Sequence, residues 1–193
     1  MAVVDNTISM LSFTLPPPAL TSIVLALVIG SAAYDIPYRR IPNCFTVAGV
    51  LMGLSMNTFL YGWPGLQMSL AGLAVGFGAY FILYSMRAMG AGDVKLMAAI
   101  GAIVGWQDWF GIFIATAIVG GFASMALMAM RGRVRKTLWN VGFVVTEMQH
   151  GRAAYLSNEE LDVRSAKAIG LPHAAVIAAG TLVFLGLSIH FAS

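Results

Sequence analysis

Long runs of Leu, Val, Ile, Ala, Gly and Met fill this sequence, and its 11 lysines and arginines stand only where such runs end. The runs extend from Ala19 to Tyr34, Phe45 to Tyr61, Met68 to Met86, Val94 to about Trp106, Trp109 to Met130, and Pro172 to about Phe191. Taken as six crossings of a bilayer, they put Arg39, Arg40, Arg87, Lys95, the cluster Arg131 to Lys136, Arg152, Arg164 and Lys167 on one side. Lysine and arginine concentrate on cytoplasmic loops. That side is therefore the cytoplasmic one, and both termini are extracytoplasmic. A wrong count of crossings would scatter the charges over both faces. The expected fold is an all-α polytopic membrane protein with six transmembrane helices, residues 1–193 forming one membrane-embedded domain.

Composition agrees. A chain that is 59% hydrophobic and 10% charged, with mean hydropathy +0.83, does not suit a soluble domain. Its net charge of +3 reflects loop anchors at a membrane surface, so no nucleic-acid partner is expected. The single cysteine, Cys44, excludes a disulfide framework and a four-cysteine zinc site. His150, His173 and His190 lack ligand spacing, so neither metal nor cofactor is expected. Met1 to Pro18 has no lysine or arginine and does not read as a signal peptide. The segment 131–171 is the one sizeable polar stretch, a cytoplasmic or interfacial loop within the domain. In it Val134, Leu138, Val141, Val145 and Met148 recur at helical steps, as in an amphipathic helix lying on the inner surface. Ser157-Asn158-Glu159-Glu160 has the pattern of a capping box. Asp108, between Trp106 and Trp109, reads as part of a solvated outer turn.

Two acids remain at the edges of apolar runs, Asp35 after Tyr34 and Asp93 before Val94. Ionisable groups there are costly, and function commonly retains them. Each could simply pair with a neighbouring base such as Arg39 or Lys95. The topology, however, places both at the cytoplasmic end, at one depth. If the first and fourth runs are neighbours, the carboxyls can meet. Like charge then keeps one of them protonated. Such a pair can activate a water against a peptide carbonyl, the carboxylate taking a proton and the acid giving one. Gly90 and Gly92 permit positive φ and close approach of an extended segment. An ordinary turn, with Asp93 capping its own helix, is the alternative reading. Lys95 either tunes the local field or snorkels to the headgroups.

The stretch Tyr34-Asp35-Ile36-Pro37-Tyr38-Arg39-Arg40-Ile41-Pro42-Asn43 resembles the first signature of type IV prepilin peptidases. Met89-Gly90-Ala91-Gly92-Asp93-Val94-Lys95-Leu96 resembles their second, G-x-G-D-x-K. The likeness covers roughly residues 20 to 130 and implies that Asp35 and Asp93 are the catalytic pair. Pro42, Asn43, Gly90, Gly92 and Lys95 would support the site or bind substrate. It also implies a bacterial inner-membrane enzyme acting on prepilins or pseudopilins with a short basic leader, cut at the cytoplasmic face. Anionic lipids are expected partners, since enzyme loops and leader are both basic. The chain lacks the paired C-x-x-C motifs of larger members, and its size resembles the short form that processes Flp-type pilins. Methyl transfer is therefore not expected. Leu171-Pro172-His173-Ala174 stands where Pro-Tyr-Gly would be expected, which leaves the role of His173 open. Presenilin-like peptidases share Tyr-Asp and G-x-G-D, but the chain has no Pro-Ala-Leu motif. Two other readings are a proton-coupled transporter using Asp35 and Asp93 as a relay, and a non-catalytic assembly scaffold.

Overall fold

The computed structural model describes residues 16–87, 89–130 and 172–192, together with Gly132 and Thr146. The described residues form four helices: α1 Pro18–Tyr38, α2 Asn43–Ser85, α3 Ala91–Met130 and α4 His173–Ala192. All four are long and apolar enough to cross a membrane. The amphipathic helix and capping box expected within 131–171 lie, Thr146 apart, outside the described residues, as do His150 and residues 1–15.

Helix α1 opens with Pro18 at a position where the missing N–H costs nothing. It continues past the apolar run, through Asp35, to Tyr38. Its 21 residues span about 32 Å, enough for a hydrocarbon core of about 30 Å. Arg39 ends it in the left-handed region (φ 52°), its N–H bonded to the Asp35 carbonyl at 2.8 Å.

Helices α2 and α3 have 43 and 40 residues, about twice what a bilayer needs. Each reverses at one glycine, Gly62 (φ 65°, ψ −142°) in α2 and Gly105 (φ 82°, ψ 172°) in α3. Backbone of that kind is nearly closed to residues with a Cβ. The reversals are visible in what each half touches. Gly53 and Gly72, on opposite arms of α2, lie against adjacent backbone of α3, Gly53 at Ala102 and Gly72 at Gly101. Across the α3 reversal, the Trp109 indole N–H donates to the Met97 carbonyl at 3.0 Å. Because one residue makes the turn, Asp108 is already inside a helix and half-buried, not in a solvated turn.

The core is the first arm of α3. From Leu96 to Val104 every residue is buried, and α3 contacts all three other helices. The buried face of α2 explains how it fits. That face reads Thr46, Gly49, Gly53, Asn57 on one arm and Gly65, Ser69, Gly72, Gly76, Tyr80 on the other. Small residues at three- and four-residue steps let membrane helices approach to backbone contact. Large apolar residues such as Leu51, Phe59, Ile82, Phe122 and Met125 point outward instead, a surface suited to lipid.

Breaking α3 at Gly105 strips carbonyls just before it of their helical donors, which apolar surroundings penalise. Asn57 repairs this. Its buried Nδ2 donates to the carbonyls of Ala102 (3.1 Å) and Ile103 (2.9 Å), and to Gly53 (3.0 Å). The Ser69 hydroxyl also donates to Ala102. We expect Asn57→Leu to lower stability by about 2 kcal/mol or more, because it leaves buried carbonyls short of donors. Thermal unfolding in detergent measures this, and an unchanged midpoint would refute the capping role.

Candidate active site

One end of the bundle gathers the α1–α2 connection, the α2–α3 connection and the start of α4. Asp35 lies on the last turn of α1 and Asp93 on the first turn of α3, each only 7% exposed. Helices α1 and α3 are in contact, so the neighbour relation that sequence left open is met. The Asp93 carboxylate lies within electrostatic reach of both Asp35 and His173.

Each carboxylate is held by a backbone N–H at a helix start. Asp35 Oδ2 accepts from Ala174 N–H (3.2 Å), in the first turn of α4. Asp93 Oδ2 accepts from Gly90 N–H (3.1 Å), just before α3 begins. The second bond is one half of a capping box, with the acid three residues inside the helix reaching back to its start. Two positive helix ends thus converge on the two acids, where peptide dipoles favour negative charge. Both carboxyls are thus fixed by backbone donors at the same end of the bundle.

The supporting residues are placed less uniformly. Pro42 is extended (φ −61°, ψ 134°) and caps α2, whose first residue is Asn43. Asn43 Oδ1 accepts from Lys95 Nζ at 3.0 Å on an exposed rim, joining the two signature stretches. Lys95 is thus engaged in the protein and not simply extended toward headgroups. Ile41 packs at Gly92, where an added Cβ would lie 3.4 Å away. Neither Gly90 nor Gly92 has positive φ, so that part of the expectation is corrected. Gly90 begins the helix and gives its N–H to Asp93. Left-handed backbone at this end falls instead on Arg39 and Arg87 (φ 56°), which close α1 and the turn after α2. Among the described residues, no three His, Cys, Asp or Glu side chains gather as a metal site.

The first turn of α4 was not legible as part of the site. A backbone N–H has no signature, and Ala174 is far from both motifs in sequence. Only the unusual Pro172-His173-Ala174 entry marked the place.

A helical protein with membrane-length apolar helices and two buried aspartates at one end of the bundle, on helices that touch, is the class these features define. Residues 20–125 match the model of the type IV leader peptidase family, and the chain belongs to that family. It is similar to a prepilin leader peptidase/N-methyltransferase of Myxococcus xanthus, 28% identical over 123 residues, or 60% of this chain and 36% of the relative. A protein of the same description from Aeromonas hydrophila is 30% identical over 125 residues, covering 61% and 41%. The match to these relatives covers well under half of their length. No solved structure matches the chain. Both aspartates fall inside the matched stretch, whereas His173 and Ala174 fall outside it.

Proposed function

We propose that the protein is a membrane aspartic endopeptidase that removes the short basic leader of Flp-like prepilins. The observation that carries this reading is the joining of Asp35 and Asp93 at one end of the bundle, each buried and each held by a helix-start N–H. In the reaction, one carboxyl is ionised and the other protonated. The carboxylate takes a proton from a water as its oxygen bonds to the scissile carbonyl carbon, while the acid protonates the carbonyl oxygen. The C–N bond then breaks as one carboxyl delivers a proton to the leaving amine and the other takes a proton from a hydroxyl of the tetrahedral intermediate, which collapses to the new carboxyl terminus. The pair titrates as a unit, and neither residue is permanently the acid.

In this reading the two arms of α2 and of α3 each cross the membrane. With α1 and α4 they make six crossings, both termini being extracytoplasmic. Arg39, Arg40, Arg87 and Lys95 then ring the active end on the cytoplasmic side, as the positive-inside rule requires. Anionic headgroups gathered by these charges would also concentrate a basic leader. Methyl transfer is not part of the proposal.

The test is incubation of the purified protein in detergent with a prepilin-type substrate, read by gel shift and product mass. A single cut between the basic leader and the apolar helix is the expected result. Intact substrate, together with proton flux through protein-loaded liposomes, would favour the relay transporter.

A further inference from the structure

The entry to α4 serves both acids. Ala174 gives its N–H to Asp35 at 3.2 Å. The residue before it, His173, has its imidazole within electrostatic reach of Asp93. His173 also shares a cavity wall with Tyr80 and Met89, and Met89 directly precedes Gly90, whose N–H holds Asp93. One turn of helix thus offers a peptide dipole to the first carboxyl and a side chain able to carry positive charge to the second.

Helix α4 packs on α1 and α3, and these bring Asp35 and Asp93 to this end. The Tyr80 phenol, from the second arm of α2, adds no charge near neutral pH. On α4 itself the other ionisable residue, His190, lies in the last turn, away from the site. The fixed cations of this end stand at the rim. Arg39, Arg40 and Lys95 are exposed, with Lys95 bonded to Asn43, and Arg87 closes the turn after α2. Among the described cations, His173 acts most strongly on Asp93.

We propose that His173 is a positioning residue of the peptidase: its imidazolium, set against Asp93, keeps the carboxyl pair singly ionised, the form the reaction needs. This rests on the endopeptidase reading and adds to it how the pair keeps its working charge among apolar residues. An unpaired buried charge is costly, so two carboxyls without a counter-charge tend to be neutral together. Such a diacid cannot take a proton from water. With one cation beside it, the singly ionised pair is neutral as a group, and the cost of burying its charge falls.

The experiment follows kcat/KM against pH for the full-length protein in detergent, with a prepilin-type substrate in the gel assay. A neighbouring cation favours an ionised carboxyl, so without it acid should silence the enzyme sooner. In His173→Gln and His173→Asn the ratio of acid to neutral rates is expected to drop about tenfold against wild type. His173→Lys keeps a cation and should restore most of that ratio. A wild-type pH profile in both neutral variants overturns the proposal. Equal loss at every pH in both, unfolding included, also overturns it and is what a merely structural histidine would give. A His173→Lys profile that matches His173→Gln overturns it as well. Failure of the endopeptidase reading looks different: wild type cuts no substrate at any pH, or Asp93→Asn cuts as well as wild type does.

Discussion

Asparagine in place of Asp35 or of Asp93 is expected to lower cleavage of a prepilin-type substrate by about 10³-fold or more, with folding intact. The reason both halves of that statement hold is geometric. Asparagine has the shape of aspartate and keeps one carbonyl oxygen. That oxygen can still accept the Ala174 N–H at position 35, or the Gly90 N–H at position 93. What it cannot do is take a proton from water or carry one to the peptide. The two losses should not add, because the carboxyls act as one unit. Asp35→Asn with Asp93→Asn should therefore fall no further than either alone. Initial rates from the same gel assay, with unfolding temperatures alongside, decide the matter. Near-normal cleavage by either single variant would remove that aspartate from the mechanism.

Gly72→Val carries the largest expected effect on the fold, a loss of more than about 3 kcal/mol. Gly72 and Gly101 meet backbone to backbone, each lying where the other's Cβ would go. Neighbouring side chains cannot rotate aside to make room, since the obstacle is main chain. The first arm of α3 would have to move away from α2, taking Leu96 to Val104 and the head of that arm, Asp93, with it. Expression level and unfolding temperature in detergent should drop together, and cleavage with them. A stable Gly72→Val protein of normal activity would contradict the packing of α2 on α3.

The contrast between these two substitutions tracks what sequence could and could not reveal. Charge placement and the two signature stretches made Asp35 and Asp93 legible, because a carboxyl at the edge of an apolar run is costly and rare. The turn residues around Gly62 and Trp106 marked where α2 and α3 reverse to within a residue or two. Helix partners were not legible. The buried face of α2 is glycine and small polar residues, so a search for large apolar stripes looks past it. In lipid the large residues point outward, and periodic hydrophobicity no longer identifies the inside. Asn57 was missed for a related reason: its value lies in carbonyls exposed by a break 48 residues away, at Gly105. For Gly90 and Gly92 the plainer of the two readings holds, a turn into a helix start that Asp93 caps, and positive φ does not. Gly90 is an ordinary helix start beside a carboxylate, and Gly92 leaves room for Ile41.

The hydrogen bond from Ala174 to Asp35 joins positions 139 residues apart. A chain made from its N-terminus onward reaches its second aspartate long before it reaches α4. During that interval Asp35 has no Ala174 N–H to hold it. Formation of the site is thus deferred to the insertion of α4. A chain of which only part has been made therefore lacks the arrangement that the proposed cleavage needs, and synthesis itself sets when that arrangement can form.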